Sequence, residues 1–438
     1  MAYYIIEKIN QLQKLESLPK DDCFINIITW NDFYHPKLTR PSLIYYKNIK
    51  SNKGFILCNN HSESFGLDYG DILKFIFSHT NIYVLDKKFH LYFLDKMIVG
   101  SFKIIDVNFN RIEHNKHIIN DSEYNTISHN ILYNKHEGLE NIDKIVPIAK
   151  HYEKWENIYN EIKGDIYEPS QELSWCNNSM TNVFFNIEKN GIRIDSKQFF
   201  KHYDPHIKSL SIVNDRIFTY YNLYNTTTRP SNSFNGINFS ALVKTTRNVF
   251  IAENDYLVEF DYREYHPRLI AKEIGYKVNT SIYEELSELF KCTIDEAKKI
   301  TFRQLYGGIE SKYAEVEYFK KINDWIEQEW RAYNELGYIK LFGGKKAYIE
   351  DPNKSKIFNY IIQSLETYRN IQVLTQIQAI LKEKKTKLIH YTYDAFLFDV
   401  SMDDKIEFNE IKELISAEFP IKISYGENYR DMQKSENF

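Results

Sequence analysis

Two aspartates in this sequence have the chemistry and the placement of metal ligands. Asp261 comes directly after the apolar, aromatic-rich residues 256–260, and Asp394 separates two runs of alternating polarity, residues 387–393 and 395–400. The first segment predicts a strand that ends at Asp261, and the other two predict a hairpin with Asp394 near its tip. Carboxylates that meet at such ends bind divalent cations, which serve phosphoryl transfer from nucleoside triphosphates. Either residue alone would be interpreted as a helix-capping or turn aspartate.

A predicted helix between the aspartates carries one lysine and two aromatic residues on the same face. Thr293 and Glu296 form a capping-box pattern that opens this helix. Lys298, Phe302 and Tyr306 follow at intervals of four residues, so their side chains form one stripe. Such a stripe can hold a triphosphate with the lysine while the rings pack on base and sugar. The plainer interpretation of the isolated pattern is an amphipathic helix whose lysine extends to solvent.

The composition describes a globular chain of two or three domains. It has 438 residues, of which 43% are hydrophobic and 26% charged, as is ordinary for a globular protein with several cores. No apolar run approaches the roughly 20 residues that cross a bilayer, and the N-terminus lacks a signal-peptide pattern. We therefore expect no membrane partner and a cytoplasmic location, or the host cytoplasm if the gene is viral. The net charge of −4 argues against a uniformly basic nucleic-acid coat protein, and the four widely spaced cysteines predict neither a zinc site nor a disulfide framework.

The sequence up to about residue 170 alternates between strand and helix patterns. Predicted strands cover residues 24–30, 42–46, 54–58 and 82–85, and a predicted helix covers residues 71–78. This alternation indicates an α/β domain. The polar residues 108–137 are predicted to form a loop or insertion, and residues 167–170 a domain boundary.

Helical patterns resume after this boundary. A helix is predicted over residues 179–188, where Asn190 and Gly191 end it, and a second over residues 196–224. A turn-rich segment, residues 226–238, then precedes the strand that ends at Asp261.

Taken together and in this order, these pieces resemble the family A DNA polymerases, the group typified by bacterial DNA polymerase I. The resemblance covers roughly residues 180–438. The family's first palm motif matches Asp261, Tyr262, Arg268 and Ala271, its fingers-helix motif matches Lys298, Phe302, Tyr306 and Gly307, and its last palm motif matches Tyr393, Asp394 and Ala395. Any one of these matches could arise by chance, whereas the ordered set is improbable.

Shorter segments resemble the same family in the right order. They are Thr228-Arg229-x-Ser231 with Asn235-x-x-Asn238, Arg247-x-x-Phe250, residues 337–346 ending in Lys345 and Lys346, Asn359-x-x-x-Gln363, and residues 420–429. In the family, the Arg229 segment faces the minor groove of the primer-template, and the Asn359 helix touches the nascent base pair.

The resemblance implies a multidomain α/β and α+β architecture, the right-hand fold with palm, fingers and a reduced thumb. The implied domains are an exonuclease-like α/β domain at 1–170, a connector with a short thumb at 171–228, palm at 229–272 and 341–438, and fingers at 273–340. A short thumb grips less duplex, so we expect low processivity unless a clamp, a helicase or a single-strand-binding protein acts as a partner.

The resemblance also implies an activity, template-directed extension of a primer 3′-hydroxyl with dNTPs. Asp261, Asp394 and the main-chain carbonyl of Tyr262 would bind two Mg²⁺ ions, with Mn²⁺ as the alternative, and Lys298 would act on the triphosphate. The implied nucleotide contacts are Lys298, Phe302, Tyr306, His266 and Arg268. The implied contacts to primer-template DNA are Arg229, Asn235, Asn238, Arg247, Lys345, Lys346, Asn359 and Gln363.

Three departures from the family pattern keep alternatives open. His266 stands where the family has the glutamate that excludes the ribose 2′-hydroxyl, Ile294 replaces an arginine, and Ala395 replaces an auxiliary glutamate. A bulky ring at His266 can still exclude the hydroxyl, which favours a DNA polymerase over a ribonucleotide-tolerant enzyme. A non-catalytic primer-template binder is the third hypothesis, although such a protein has no need for two carboxylates near phosphates.

The N-terminal region lacks the residues of a proofreading nuclease. Residues 24–30 contain no Asp-x-Glu pair, His90 replaces the aspartate of a Lys-Phe-Asp-Leu motif, and the nearby Asp121 and Glu123 lie in polar loop sequence. We therefore expect an exonuclease-like fold without exonuclease activity.

Overall fold

The structure is a computed structural model of the 438-residue chain. It describes residues 4–29, 35–61, 63–64, 66–94, 102–119, 146–202, 212–232 and 242–435. The chain divides into two compact units: the first consists mainly of Met1–Phe185, and the second mainly of Ile237–Phe438 with Asn186–Pro205 and Asn214–Ser233.

A six-stranded mixed sheet forms the centre of the first unit. Its strands are β1 (Tyr4–Ile6), β2 (Asp22–Thr29), β3 (Pro41–Asn48), β4 (Lys53–Cys58), β5 (Asn81–Val84) and β6 (Lys103–Asp106), in the order β1-β4-β3-β2-β5-β6. Strands β2, β3 and β4 pair antiparallel, whereas β1 pairs parallel with β4, and β5 pairs parallel with β2 and β6. The four predicted strands are confirmed, because continuous runs of apolar residues are typical of strands buried on both faces.

Helices cover both faces of this sheet. They are α1 (Ile9–Leu15), α2 (Tyr69–Ile76), α3 (Lys87–Leu94), α4 (Val107–Glu113), α5 (Ile148–Ile162), α6 (Gln171–Trp175) and α7 (Thr181–Glu188), with a π-helical turn at Cys176–Met180 between the last two. Side chains of β3 alternate between two cores: Ile44 packs with residues of α2 and α3, and Tyr45 packs with Trp155 of α5.

Two predictions for this region need correction. The loop predicted from residue 108 onwards begins with a helix, α4, because the Asp106 side chain accepts a hydrogen bond from the Asn108 N–H and caps it. The helix predicted from residue 179 begins at Gln171, where Ser170 supplies the cap. Residues 120–145, the rest of the predicted insertion, lie outside the described residues.

An antiparallel five-stranded sheet forms the centre of the second unit. Its strands are β12 (Tyr256–Tyr262), β15 (Lys387–Thr392), β16 (Ala395–Val400), β17 (Ile421–Gly426) and β18 (Gln433–Ser435), in the order β15-β16-β12-β17-β18. The described residues after 188 also form seven short strands. They are β7 (Ile192–Arg193), β8 (Ile212–Val213), β9 (Arg216–Ile217), β10 (Tyr221–Asn222), β11 (Ser231–Asn232), β13 (Ile339–Lys340) and β14 (Lys346–Ala347). The predicted strand before Asp261 and the predicted hairpin around Asp394 are both confirmed.

Seven helices accompany these strands in the described residues after 188. They are α8 (Ser196–His202), α9 (Tyr265–Glu273), α10 (Ile282–Phe290), α11 (Ile294–Gly307), α12 (Glu317–Leu336), α13 (Lys354–Ile380) and α14 (Lys405–Ser416). Helices α9 to α13 share one apolar core that includes Tyr318 and Phe319. The predicted capping box opens α11, with Thr293 and Glu296 bonding each other's backbone. No helix among the described residues is long and apolar enough to span a bilayer.

The predicted helix over residues 196–224 begins as α8 but is wrong from Ile212 onwards, and residues 203–211 lie outside the described residues. Asn214 and Asp215 adopt positive φ angles of 50° and 56° and form a tight turn between β8 and β9. Asn and Asp tolerate this conformation better than other non-glycine residues, which explains the turn. The predicted mixed α/β architecture is confirmed, whereas the exonuclease-like and thumb assignments stay predictions.

Candidate active site

The register of two neighbouring strands brings the two predicted aspartates together. Asp261 on β12 lies opposite Ala395 on β16, and the Tyr262 N–H donates a hydrogen bond of 3.0 Å to the carbonyl of Asp394. Asp394 belongs to the two-residue turn between β15 and β16, where Tyr393 adopts a positive φ of 56°. Residues 133 positions apart in the sequence (394 − 261) therefore occupy the same end of adjacent strands.

Both aspartates have raised pKa values, as expected for carboxylates without a strong positive charge beside them. Burial raises the pKa of Asp261 to about 6, with a further contribution from the charge of Asp394. The ammonium of Lys422, 3.8 Å from Asp261 Oδ2, and that of Lys298 act in the opposite direction. The pKa of Asp394 is also raised, first by burial and then by the charge of Glu366. A bound cation would relieve both effects.

The donor set fits a magnesium ion that takes further oxygen ligands from elsewhere. No group of three or more Asp, Glu, His or Cys side chains that could hold a metal occurs within the described residues. Mg²⁺ is usually held by one or two carboxylates together with water and substrate phosphates, so two aspartates suffice. The Tyr262 side chain is buried and stacks on Tyr265 at 4.3 Å, which leaves only its main chain for metal binding.

Helix α11 presents the predicted lysine and aromatic stripe. The rings of Phe302 and Tyr306 stack with centroids 5.8 Å apart, and Phe302 is 38% exposed. Lys298 is exposed, and its charge makes a small contribution that lowers the pKa of Asp261. The helix therefore carries a partly exposed aromatic pair and a cation within electrostatic range of Asp261.

Sequence reasoning missed a buried glutamate, Glu366, that contacts three residues of the site. We call the side of the site formed by Glu366, His266, Tyr306 and Arg229 the sugar wall. Glu366 on α13 is 1% exposed and binds His266 through Nε2, while His266 Nδ1 bonds the hydroxyl of Tyr306. Arg229 Nε lies 3.3 Å from Glu366 Oε1, and the guanidinium sits 3.6 Å above the ring of Tyr393. One carboxylate thus connects the predicted sugar-side residue, the fingers helix and a predicted DNA contact.

Asn370 is a second residue that sequence reasoning missed. It is fully buried, accepts a hydrogen bond from the Tyr265 hydroxyl, and donates to the Tyr391 hydroxyl at 2.9 Å and to the Tyr393 carbonyl at 2.6 Å. These bonds fix the chain directly before Asp394. A signal was present, because Asn359, Gln363, Glu366 and Asn370 repeat at intervals of four, three and four and form a polar stripe on α13.

Several predicted contacts already have partners within the protein. Arg268 pairs with Glu264 at 3.0 Å and donates to the carbonyl of Thr280 at 2.6 Å, and the buried Lys345 donates to the carbonyl of Asn225 at 2.6 Å. These bonds are structural, and the roles of Arg268 and Lys345 with nucleotide and DNA stay predictions.

The other predicted DNA contacts vary in setting. Arg247 bonds the carbonyl of Leu242 and lies over the ring of Tyr429, and Lys346 lies over the ring of Tyr338. Asn359 and Gln363 are half-buried on α13, and Asn359 Oδ1 has no hydrogen-bond partner among the described residues. Asn235 and Asn238 lie outside those residues. Binding of DNA by this set stays a prediction.

A solved structure has the same arrangement of elements. It is the POL domain of Pol1 from M. smegmatis, in complex with DNA primer-template and dNTP, and the similarity has a TM-score of 0.68 and covers 98% of this chain and 100% of that chain. This chain has the fold of that polymerase domain. The two sequences are 12% identical, so the likeness concerns the fold, as the motifs predicted, and residue roles depend on the geometry above. No family model and no curated protein matches the sequence.

The raised pKa of Asp261 leads to a prediction about stability. An acid with a raised pKa in the folded state costs stability above its unfolded pKa near 4, and the cost is complete above about pH 6. In chelator-treated protein, Asp261→Asn should therefore stabilise the second unit at pH 7 by about 1 kcal/mol, after allowance for solvent screening of this part-exposed group. Hydrogen exchange of the β12 and β16 amides measures this.

The gain should shrink to a small residue at pH 4, where the folded carboxyl is protonated and the unfolded carboxyl is about half protonated. Asp324→Asn, at an exposed position on α12, is the matched control and should change nothing. Equal gains at pH 4 and pH 7 would contradict the electrostatic origin.

Proposed function

We propose that this protein is a DNA polymerase that extends a primer 3′-hydroxyl with deoxynucleoside triphosphates under the direction of a template. The observation that carries the proposal is the apposition of Asp261 and Asp394 at one end of paired strands, with the charge of Lys298 acting on Asp261. The likeness to a polymerase domain solved with primer-template and dNTP supports it.

Asp261 and Asp394 would hold two Mg²⁺ ions, with the Tyr262 carbonyl as a further ligand. When bound, such ions lower the pKa of the attacking hydroxyl and neutralise the departing pyrophosphate. Partial removal of Asp261 from water would strengthen its interaction with these ions. The strand pairing fixes both carboxylates before substrate arrives, so little rearrangement is needed.

Helix α11 would bind the incoming nucleotide. Lys298 contacts the triphosphate and donates a proton to the pyrophosphate as it leaves, and the stacked rings of Phe302 and Tyr306 accept the base and sugar. Arg303, next to Phe302, pairs with Glu310 at 2.7 Å. That contact leaves Lys298 as the cation assigned to the phosphates.

His266 would exclude the ribose 2′-hydroxyl and so select deoxynucleotides. Its ring is bonded on one side by Tyr306 and on the other by Glu366, so it cannot swing away without breaking two hydrogen bonds. The family's gate glutamate is absent from position 266, and a carboxylate reaches the same wall from position 366 instead. A His266 ring held in one position excludes the 2′-hydroxyl better than a mobile ring would, because it cannot move aside to make room for the extra oxygen.

Arg229, Asn359 and Gln363 would contact the minor groove beside the nascent base pair. The minor-groove acceptors are common to all correct pairs, so contacts to them check the shape of a pair and not its sequence. Asn235, Asn238, Arg247, Arg268, Lys345 and Lys346 belong to the proposal on the sequence resemblance alone. The ion pair of Arg229 with Glu366 links this check to the sugar wall.

The first unit would be an exonuclease-like domain without nuclease activity. His90 is buried, its Nε2 accepts a hydrogen bond of 3.3 Å from the Ile27 N–H, and burial lowers its pKa to about 4. A neutral, backbone-bonded imidazole thus occupies the position where the motif requires a metal-binding carboxylate. Asp121 and Glu123 lie outside the described residues.

The polymerase proposal predicts that Asp394→Ala lowers the rate of primer extension by about 1,000-fold or more, because one of the two aspartates that would bind the cations is lost. DNA affinity should stay within a few-fold, since no phosphate contact is removed. Primer extension with Mg²⁺ and four dNTPs, together with fluorescence anisotropy on the same primer-template, measures both. Asp403→Ala, at an exposed position, is the control. A wild-type protein that binds DNA and never extends it would identify a non-catalytic binder instead.

The sugar wall generates a second prediction. His266→Ala should raise the ratio of ribonucleotide to deoxynucleotide incorporation by about 10-fold or more, and Glu366→Gln should raise it less, because the ring remains and only its anchor weakens. Single-nucleotide insertion kinetics with dNTP and rNTP on one primer measure the ratio. Gln376→Ala, an exposed change on the same helix, should leave it unaltered. An unchanged ratio in both site variants would exclude His266 as the gate.

If the first unit has no nuclease activity, single-stranded DNA with a labelled 3′ end should stay intact when it is incubated with the protein and Mg²⁺ or Mn²⁺. Without a carboxylate at position 90 the cations needed for hydrolysis are not held. Denaturing electrophoresis over several hours provides the measurement. Asp394→Ala serves as a control, because metal-dependent shortening that persists in this variant would reveal a working nuclease.

A further inference from the structure

The first unit contains a cavity that the proposed polymerase activity does not use. It lies between the edge strand β6 and the helical residues 171–182, and its volume is about 380 Å³. Its polar lining includes Lys87, Asn178 and Asn182, and its apolar lining includes Leu91, Phe102 and Pro169. A cavity of this size with one apolar wall and a few polar groups is typical of small-molecule sites.

The π-helical turn at Cys176–Met180 builds one wall of this cavity. Its Asn177 side chain pairs with the edge of β6, accepting from the Asp106 N–H at 2.8 Å and donating to the Ile104 carbonyl at 3.4 Å. This pairing occupies the sheet edge and fixes the next residue, Asn178, beside Lys87. Single π-turns within helices frequently mark functional sites.

Lys87 is a buried cation with an incomplete set of partners. It is 6% exposed, and its ammonium donates one hydrogen bond, to Asn178 Oδ1 at 2.9 Å. No carboxylate of the described residues lies within 4.0 Å of this ammonium. Asp106 acts on it from farther away, and its two oxygens accept hydrogen bonds from the N–H groups of Lys87 and Asn108.

The charge of Lys87 persists at neutral pH despite this burial. Burial lowers the pKa of Lys87 to about 8, and the charge of Asp106 limits the fall. An ammonium has three N–H donors, and Lys87 lines the cavity, so two of its donors are left without an acceptor among the described residues. A buried charge with a neutral partner is costly, and an anion in the cavity would offset that cost.

We propose that this cavity binds an organic phosphate, with the phosphate on Lys87 and the organic group against Leu91, Phe102 and Pro169. A phosphate supplies more acceptor oxygens than a carboxylate does to an ammonium that has two donors without an acceptor among the described residues. Lys103 on the rim is more than half exposed and pairs with Glu168 at 2.8 Å, so Lys87 is the residue that recognises the ligand. All lining residues belong to the first unit, and none belongs to the proposed polymerase site.

Isothermal titration calorimetry of the full-length protein with phenyl phosphate and with benzoate tests the proposal. The two probes share a ring and differ in the anionic group. We expect saturable binding of phenyl phosphate, at least about 10-fold weaker binding of benzoate, and a loss of about 10-fold or more in Lys87→Met. Lys298→Met removes the cation of the proposed nucleotide site and should leave phenyl phosphate affinity unchanged, which separates the two proposals.

A second variant removes any ambiguity from folding. Asn182 is exposed and lines the cavity, and its side chain forms no hydrogen bond with the described residues, so Asn182→Asp should keep the melting temperature and weaken phenyl phosphate binding by charge repulsion. Absence of saturable binding to the wild-type protein would overturn the proposal. So would affinity that is equal in the wild-type protein and both cavity variants, or equal affinity for benzoate.

Discussion

The pairing of β12 with β16 is the constraint on which the site depends. This pairing places two carboxylates at one end of a sheet, where the pKa of both is raised and that of Asp261 reaches about 6. At neutral pH the folded chain therefore carries an electrostatic cost that a bound cation would offset. Aromatic stacking around Phe260 and Tyr262 holds the strand in place against that cost. The fold is therefore less stable than it would be without the two adjacent carboxylates at this end of the sheet.

The parts of the fold that the sequence predicted well are those set by local patterns. Apolar runs predicted the strands of the first unit, alternation predicted the hairpin around Asp394, and the Thr293 capping box predicted the start of α11. Each of these signals lies within about ten residues of the element that it predicts. The helix predicted to Tyr224 failed because its periodicity ignored the turn chemistry of Asn214 and Asp215.

The parts of the site that the sequence did not predict depend on contacts between distant residues. Glu366 meets His266 and Arg229 only after α13 packs beside α9 and the hairpin. A glutamate inside a long helix is ordinarily a solvent-facing residue, and only burial identifies it as structural. The buried Asn370 is similar, because its three partners come from α9, β15 and the turn after it. The spacing places Glu366 and Asn370 on one helical stripe, but it cannot identify their partners without a template for the fold.

The contact between Glu366 and His266 has a consequence for how this wall can change over generations. Each residue satisfies the other in a nearly water-free setting, so replacing one alone strands a polar group in the interior. Replacement of Glu366 would also remove the counter-charge of Arg229. Substitutions at positions 266 and 366 should therefore occur together, because a change at one position leaves an unsatisfied polar group unless the other position also changes.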